Sequence, residues 1–392
     1  MMVIHRLAGV VLLVLTLLLT SFYAAPASRP HVQQFTAAAI NAAQTTFRYG
    51  QQCSEQLSRG SLGCVPRDPT RAPGWIEGKR WVSADPDAQM HDWAQRMIER
   101  EDSGEMDWAR NKTILFLGDS VVRDLIWTWC DDMIRKKRVL VKLDDSIKGW
   151  EKTQGWLCRH PTYNLSMING FIYGMTDYSR YNLTRSPNEI TSREWPAPPW
   201  SFEDRLPELK EQYDRFNADI IFANSGAWDF KFMYRRELKM RLPSSSIDPE
   251  ELHGYGERLR KYFRLLRHYF PQQKIVWMQL HPMSSEDEGA RWYWAQGLHP
   301  QVNGSQSPNA TIVSQLPELF TRRRLAQLGS TYRQVAAEEQ VDFVDYWKIA
   351  EATEPGTFIR EGDAIHPAKF PSIRIMMDMV LEKVHRLAVY NV

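Results

Sequence analysis

From Thr113 onward, five short apolar runs alternate with stretches of helical period. That alternation restricts the chain to a layered α/β fold. The runs are 113–118, 166–173, 219–224, 274–280 and 341–345. Each is short, rich in β-branched or aromatic residues and bounded by polar turns, as strands buried on both faces must be. Between them, Leu252, Tyr255, Leu259, Tyr262, Leu266 and Tyr269 recur at spacings of three and four, which predicts a helix over 250–269. Two further helices are predicted over 316–339 and 371–387, the last with Ile373, Met376, Met377, Val380, Val384 and Leu387 on one stripe. The expectation is a three-layer α/β domain around a parallel sheet of about five strands. Two insertions, 175–215 and 281–315, interrupt the alternation. The first carries the proline-rich segment Pro196-Ala197-Pro198-Pro199-Trp200 and the second Trp292-Tyr293-Trp294. Both follow strands and are placed to rim the open sheet edge.

The 392 residues suffice for a full core, with 43% hydrophobic and 24% charged side chains. A net charge of +2 gives no strongly basic surface for nucleic acid. Neither a zinc-type cysteine–histidine spacing nor a glycine-rich phosphate loop is visible, so no metal is expected. The chain divides by composition into residues 1–27, a polar alanine-rich stem at 28–50, an irregular lobe at 51–105 with a helix near Asp92 to Arg100, and the α/β domain at 106–392. His5-Arg6 precedes an apolar stretch from Leu7 to Ala25. It suits either a cleaved signal peptide or a retained signal anchor, and both direct the remainder into the secretory lumen. The protein is therefore expected to be a type II membrane protein, its short anchor suiting the Golgi, or a secreted one. Cys53, Cys64, Cys130 and Cys158 fit two disulfides in that compartment, with Cys53–Cys64 and Cys130–Cys158 the favoured pairs. Asn164, Asn182, Asn303 and Asn309 are candidate glycosylation sites. A fifth acceptor, Asn111, abuts the first strand, where the least access is expected.

The chemistry lies at the strand ends. Gly118-Asp119-Ser120 closes the first apolar run and opens a helical stretch, Val121 to Ile134. A strand, tight turn and helix set a serine hydroxyl at the ligand-binding edge of the sheet, beside the N–H groups of a helix N-terminus. Far downstream, Asp363-Ala364-Ile365-His366-Pro367 offers a base and its orienter from one loop. By itself this loop equally suits a capped helix start. Asn224 ends the third run, where its amide can donate to an oxyanion or cap the next turn. Gly174, preferred to Gly170, is the candidate backbone donor. Arg123, one helical turn after Ser120, His281, after the fourth run, and Trp228 are candidate substrate contacts.

Leu117-Gly118-Asp119-Ser120-Val121-Val122-Arg123-Asp124, Asn224-Ser225-Gly226-Ala227-Trp228-Asp229 and Asp363-Ala364-Ile365-His366-Pro367, in this order, resemble the SGNH/GDSL hydrolase superfamily. The middle element departs from that superfamily's Gly-x-Asn-Asp, with Trp228 in the asparagine's place. It is similar instead to the Asn-x-Gly-x-Trp form of the PC-esterase group, which includes plant trichome-birefringence-like polysaccharide O-acetyltransferases and fungal capsule-associated proteins. The resemblance spans about residues 111 to 370. It implies an SGNH-type fold, a Ser120–His366–Asp363 triad and an acyl-serine intermediate. It further implies transfer of acyl, above all acetyl, groups to or from a polysaccharide or other glycan, in a fungal branch of the group. No bound cofactor is expected; the expected donor, if the chain is a transferase, is acetyl-CoA or another activated acetyl compound. The alternatives are a secreted carbohydrate esterase and a non-catalytic glycan-binding protein. The expected partners are the glycan and, if residues 1–27 are uncleaved, the membrane, with no nucleic acid.

Overall fold

The computed structural model describes residues 67–78, 80–86, 88–99, 104–137, 157–175, 202–240, 246–281, 283, 321–351, 365–367 and 369–390. The chain divides into two units, Met1–Arg67 and Asp68–Val392, and the description below concerns the second. The leader, the stem, Cys53 and Cys64 lie outside the described residues, as do Asn182, Asn303, Asn309 and Asp363. Among the described residues no helix is long and apolar enough to cross a membrane.

The chain runs through β1 (Gly74–Glu77), β2 (Arg80–Ser83), α1 (Trp93–Glu99), β3 (Thr113–Gly118), α2 (Ser120–Lys137), β4 (Leu157–His160) and β5 (Leu165–Phe171). It continues through α3 (Phe202–Tyr213), β6 (Ile220–Ala223), α4 (Ala227–Met240), α5 (Pro249–Tyr269) and β7 (Lys274–Met278). It closes with α6 (Arg322–Glu338), β8 (Asp342–Val344), α7 (Trp347–Glu351) and α8 (Arg374–Tyr390). The five predicted strands are all present, and they form parallel pairs in the order β5-β3-β6-β7-β8. The expected sheet is corrected at one edge. A sixth strand, β4, pairs antiparallel with β5. Its sequence, Leu157-Cys158-Arg159-His160, has no apolar run to announce it, because Arg159 turns outward at the edge.

Alternation along the strands builds the two outer layers. Leu115, Leu117, Ile168, Ile221, Ala223 and Trp277 pack with α3, α4, α5 and α6 on one face. Ile114, Phe116, Met167, Phe222, Val276 and Met278 pack with α1, α2 and α8 on the other. Residues 202–213, expected within an irregular insertion, form α3 despite Pro207, and Leu206 and Leu209 seat it in the core. The segment from Asp68 to Glu99 contains the β1–β2 hairpin and is fastened to α8. Ala94 N–H donates to Asp378 Oδ1 at 2.7 Å, Trp93 Nε1–H to Glu382 at 2.7 Å, and the Lys383 ammonium bridges Asp68 and Asp342. Cys130 and Cys158 form a disulfide that ties α2 to the edge strand β4.

Asn111 is corrected as well. It precedes β3 in a left-handed turn (φ 57°), exposed, with its Oδ1 accepting from Asn164 Nδ2 at 2.9 Å. Asn164 is exposed in a matching turn (φ 51°) before β5. Asparagine tolerates this backbone region better than most residues, and the turns lift both amides off the sheet.

Candidate active site

Numbered among themselves in chain order, the five parallel strands lie 2-1-3-4-5 across the sheet. In such a sheet the crevice opens at the carboxyl ends of the first and third strands, here β3 and β6, where the connections leave to opposite faces. Ser120 sits there, half-buried, as the first residue of α2. The turn that delivers it is tight. A Cβ on Gly118 would lie 2.6 Å from Val122 Cγ2 and 3.3 Å from Asn224 Cβ, so a side chain at 118 would block the strand-to-helix passage. Asp119 caps α2 by accepting from Val121 N–H at 3.0 Å.

His366 Nε2 lies 2.8 Å from Ser120 Oγ. The two residues are 246 positions apart, and the fold closes that gap to a hydrogen bond. The base loop is held from below by a histidine that sequence reasoning set among the substrate contacts. His281, three residues past β7, is 1% exposed, and its Nε2 faces the Ile365 carbonyl. It therefore secures the residue next to His366 from within the core. Ile365 packs against the cores of both faces.

Asp119, next to Ser120 in the chain, is fully buried within electrostatic reach of His366. Burial, with the nearby Asp229, pushes its carboxyl up to about 6, against the opposing pull of Val121 N–H, His366 and Arg123. Asp119 Oδ2 has no hydrogen-bond partner among the described residues. An imidazolium formed at His366 would be stabilised by the ionised form of this group.

The β3 ladder continues past Gly118 on both sides. Ile172 N–H donates to Gly118 O at 2.8 Å and Asn224 N–H to Leu117 O at 2.8 Å. The loops bearing Gly174 and Asn224 thus flank the strand that delivers Ser120. Asn224 is 1% exposed, and its Nδ2 donates to the Met278 carbonyl at 2.7 Å. An amide nitrogen has two hydrogens, so one remains for a ligand. Gly170 lies within β5, paired with Leu117 in the ladder. Gly174 lies beyond that strand, at the open edge.

Trp228, half-buried, stands edge-on to Tyr173 at 4.9 Å between ring centroids. Arg123 is half-buried and pairs with its neighbour Asp124 at 3.0 Å. Among the described residues no group of histidine, cysteine and carboxylate side chains is arranged to hold a metal ion. Sequence reasoning missed Asp229, which is fully buried against Gly174. Its position in the first turn of α4 was the available signal.

No family model matches the chain, and no curated protein matches it. Solved structures do. The chain is similar to a GDSL-like lipase from Bacteroides thetaiotaomicron, with 10% identity over 74% of this chain and 98% of the other, TM-score 0.36. It is similar to the periplasmic domain of a lipopolysaccharide acetyltransferase from Salmonella ser. Paratyphi A, with 10% identity over 71% and 85%, TM-score 0.37. It is similar, too, to an acetyl xylan esterase variant from Geobacillus stearothermophilus, with 14% identity over 72% and 96%, TM-score 0.32. The chemistry of the site rests on its own geometry.

Proposed function

We propose that this chain is a serine-dependent acyl-transfer enzyme of the SGNH/GDSL type. The observation that carries the reading is the 2.8 Å contact between Ser120 Oγ and His366 Nε2 at the sheet's switch point. A serine hydroxyl is a weak nucleophile until a base removes its proton. Ser120 Oγ attacks the acyl carbonyl while His366 Nε2 takes the proton. The tetrahedral oxyanion is met by the Ser120 N–H, the Gly174 N–H and the free hydrogen of the Asn224 amide. Collapse expels the leaving group, which recovers the proton from His366, and leaves an acyl-serine. A second hydroxyl, deprotonated by the same histidine, then takes the acyl group. Asp363 is assigned as the orienter of His366 from the sequence spacing.

The acyl group is assigned as acetyl and the acceptor as a glycan hydroxyl. The motif order supports this, resembling the PC-esterase group. Trp228, half-buried in the first turn of α4 and edge-on to Tyr173, is the aromatic side chain proposed to meet a sugar ring. A lumenal polysaccharide O-acetyltransferase, with acetyl-CoA or another activated acetyl compound as donor, is the principal reading. A carbohydrate esterase uses the same groups with water as the second nucleophile.

The test is intact mass spectrometry of the protein mixed with an activated acetyl ester, with and without an oligosaccharide, beside Ser120→Ala. One acetyl group on Ser120 that moves to sugar establishes the transferase. One lost to water whether or not sugar is present establishes the esterase. Turnover that persists in Ser120→Ala refutes the mechanism.

A further inference from the structure

The two loops that carry the proposed oxyanion donors belong to strands that do not touch. In the order β5-β3-β6, the Gly174 loop leaves β5 and the Asn224 loop leaves β6, with β3 between them. No ladder hydrogen bond can fix one loop against the other, because each pairs separately with β3. An oxyanion hole built from both needs their separation held to a fraction of an ångström.

One side chain spans them. Asp229, 0% exposed, stands in the first turn of α4, just beyond the Asn224 loop. Its Oδ1 accepts from Met175 N–H at 2.8 Å, which grips the loop after β5. Its Oδ2 accepts from Ser225 Oγ at 2.6 Å, which grips the loop after β6. The Tyr255 hydroxyl reaches the same oxygen at 3.3 Å, and the Tyr332 hydroxyl donates to the Ser225 carbonyl at 3.0 Å. Helices α5 and α6 thereby fix the clamp from behind. Gly174 completes the fit. A Cβ there would lie 2.8 Å from Asp229 Oδ1, so only glycine lets the carboxylate approach this close.

We infer that Asp229 is a positioning residue for acyl transfer, its carboxylate locking the Gly174 and Asn224 loops together so that their donors converge on one oxyanion. This rests on the serine reading above. The role is distinct from that of the triad, because Asp229 acts on the carbonyl oxygen through two loops and leaves the Ser120–His366 contact in place.

The clamp predicts a particular kinetic signature. Asp229→Asn keeps the size of the side chain but offers one acceptor oxygen to donors that arrive on both. In the full-length protein, kcat for a small oxygen ester should fall about 10–100-fold with KM little changed. The matched thionoester, whose sulfur accepts hydrogen bonds poorly, should lose much less. The ester-to-thionoester preference should therefore shrink by nearly the factor lost in kcat. Gly174→Ala attacks the same contact from the other loop and should give the same signature. The double variant should lose little beyond either single one, because both break one contact. Ester and thionoester rates that fall in parallel, or additive losses in the double variant, would overturn the inference while leaving the serine mechanism standing. A wild-type protein without ester turnover, or turnover that survives Ser120→Ala, removes the serine reading and this inference with it.

Discussion

At residue scale, the strand-to-helix turn sets a carboxyl group, Asp119, close enough to His366 to feel its charge, in a place where burial makes ionisation costly. Under the proposed mechanism, Asp119 must bear its charge if it is to stabilise the imidazolium that His366 would become on taking the Ser120 proton. With its carboxyl pushed up to about 6, the charge is present at neutral pH and is lost on modest acidification. Asp119→Asn should retain the cap on Val121 N–H, since asparagine caps helices as well as aspartate does. It should lower kcat by about 3–30-fold at pH 8, the scale of one charge interaction screened by its surroundings. Stability should move the other way. A carboxyl raised in the folded state binds its proton more tightly there than in the unfolded chain. Its stabilising contribution is full below about 4 and is lost as pH climbs through 6. The asparagine variant should therefore melt higher than wild type at pH 8 and alike at pH 4. A variant that melts lower at pH 8 would show that the charged carboxylate holds the turn together.

At element scale, the strand-to-helix turn sets Ser120 against His366, and a disulfide ties the same helix, α2, to the sheet's edge strand. Gly118→Ala places a methyl 2.6 Å from Val122 Cγ2, inside a helix that is pinned by the core and cannot retreat. The expected loss is about 1–3 kcal/mol by overpacking, read in urea titrations, with a larger proportional loss of kcat than of stability. Wild-type activity in that variant would show that α2 slides freely. The Cys130–Cys158 bond closes a sequence separation of 28 residues between α2 and β4. Replacing both cysteines by alanine should cost about 2–4 kcal/mol in the oxidised protein, and an unchanged midpoint would remove the bond from the stability of α2. These elements were unequally legible. The parallel strands declared themselves because burial on both faces demands an unbroken apolar run, as in Ile114-Leu115-Phe116-Leu117. β4 did not, since an edge strand with one outward arginine has no such run. α3 was hidden by Pro207 and the prolines before it, whose local cost is outweighed by packing of Leu206 and Leu209. Ser120 and His366 were readable because each ends a recognisable motif. Asp229 was not, because an acidic residue in a first helical turn is commonplace. Only folding brings it to Met175, 54 residues away in sequence.

At the scale of the whole molecule, the segment before the sheet is fastened to α8 by a row of buried charges, and these set how the fold responds to pH. Glu382 is held down to about 2. Burial opposes this, but the nearby His385 and His91 rings and the Trp93 N–H prevail. Its contribution is present above about 4.5 and disappears only as pH falls toward 2. Asp378 runs the opposite way. Burial, with Asp92 and Glu382 nearby, raises it to about 7, although Ala94 N–H and Arg374 favour its charge. It binds its proton more tightly folded than unfolded, so it stabilises fully below about 4 and loses that contribution as pH rises through 7. Near neutral pH the fold therefore carries a buried carboxylate that it would hold more cheaply as an acid. Asp378→Asn supplies a permanently neutral side chain whose oxygen can still accept from Ala94 N–H. The variant should match wild type at pH 4 and exceed it at pH 8 by about 1–4 kcal/mol, the range that a shift of this size allows. Urea titrations at the two pH values separate the alternatives. A gain confined to pH 8 means that the charge at position 378 is a cost borne by the native state. A loss at both pH values means that the carboxylate, and not merely its oxygen, is what holds α1 against α8.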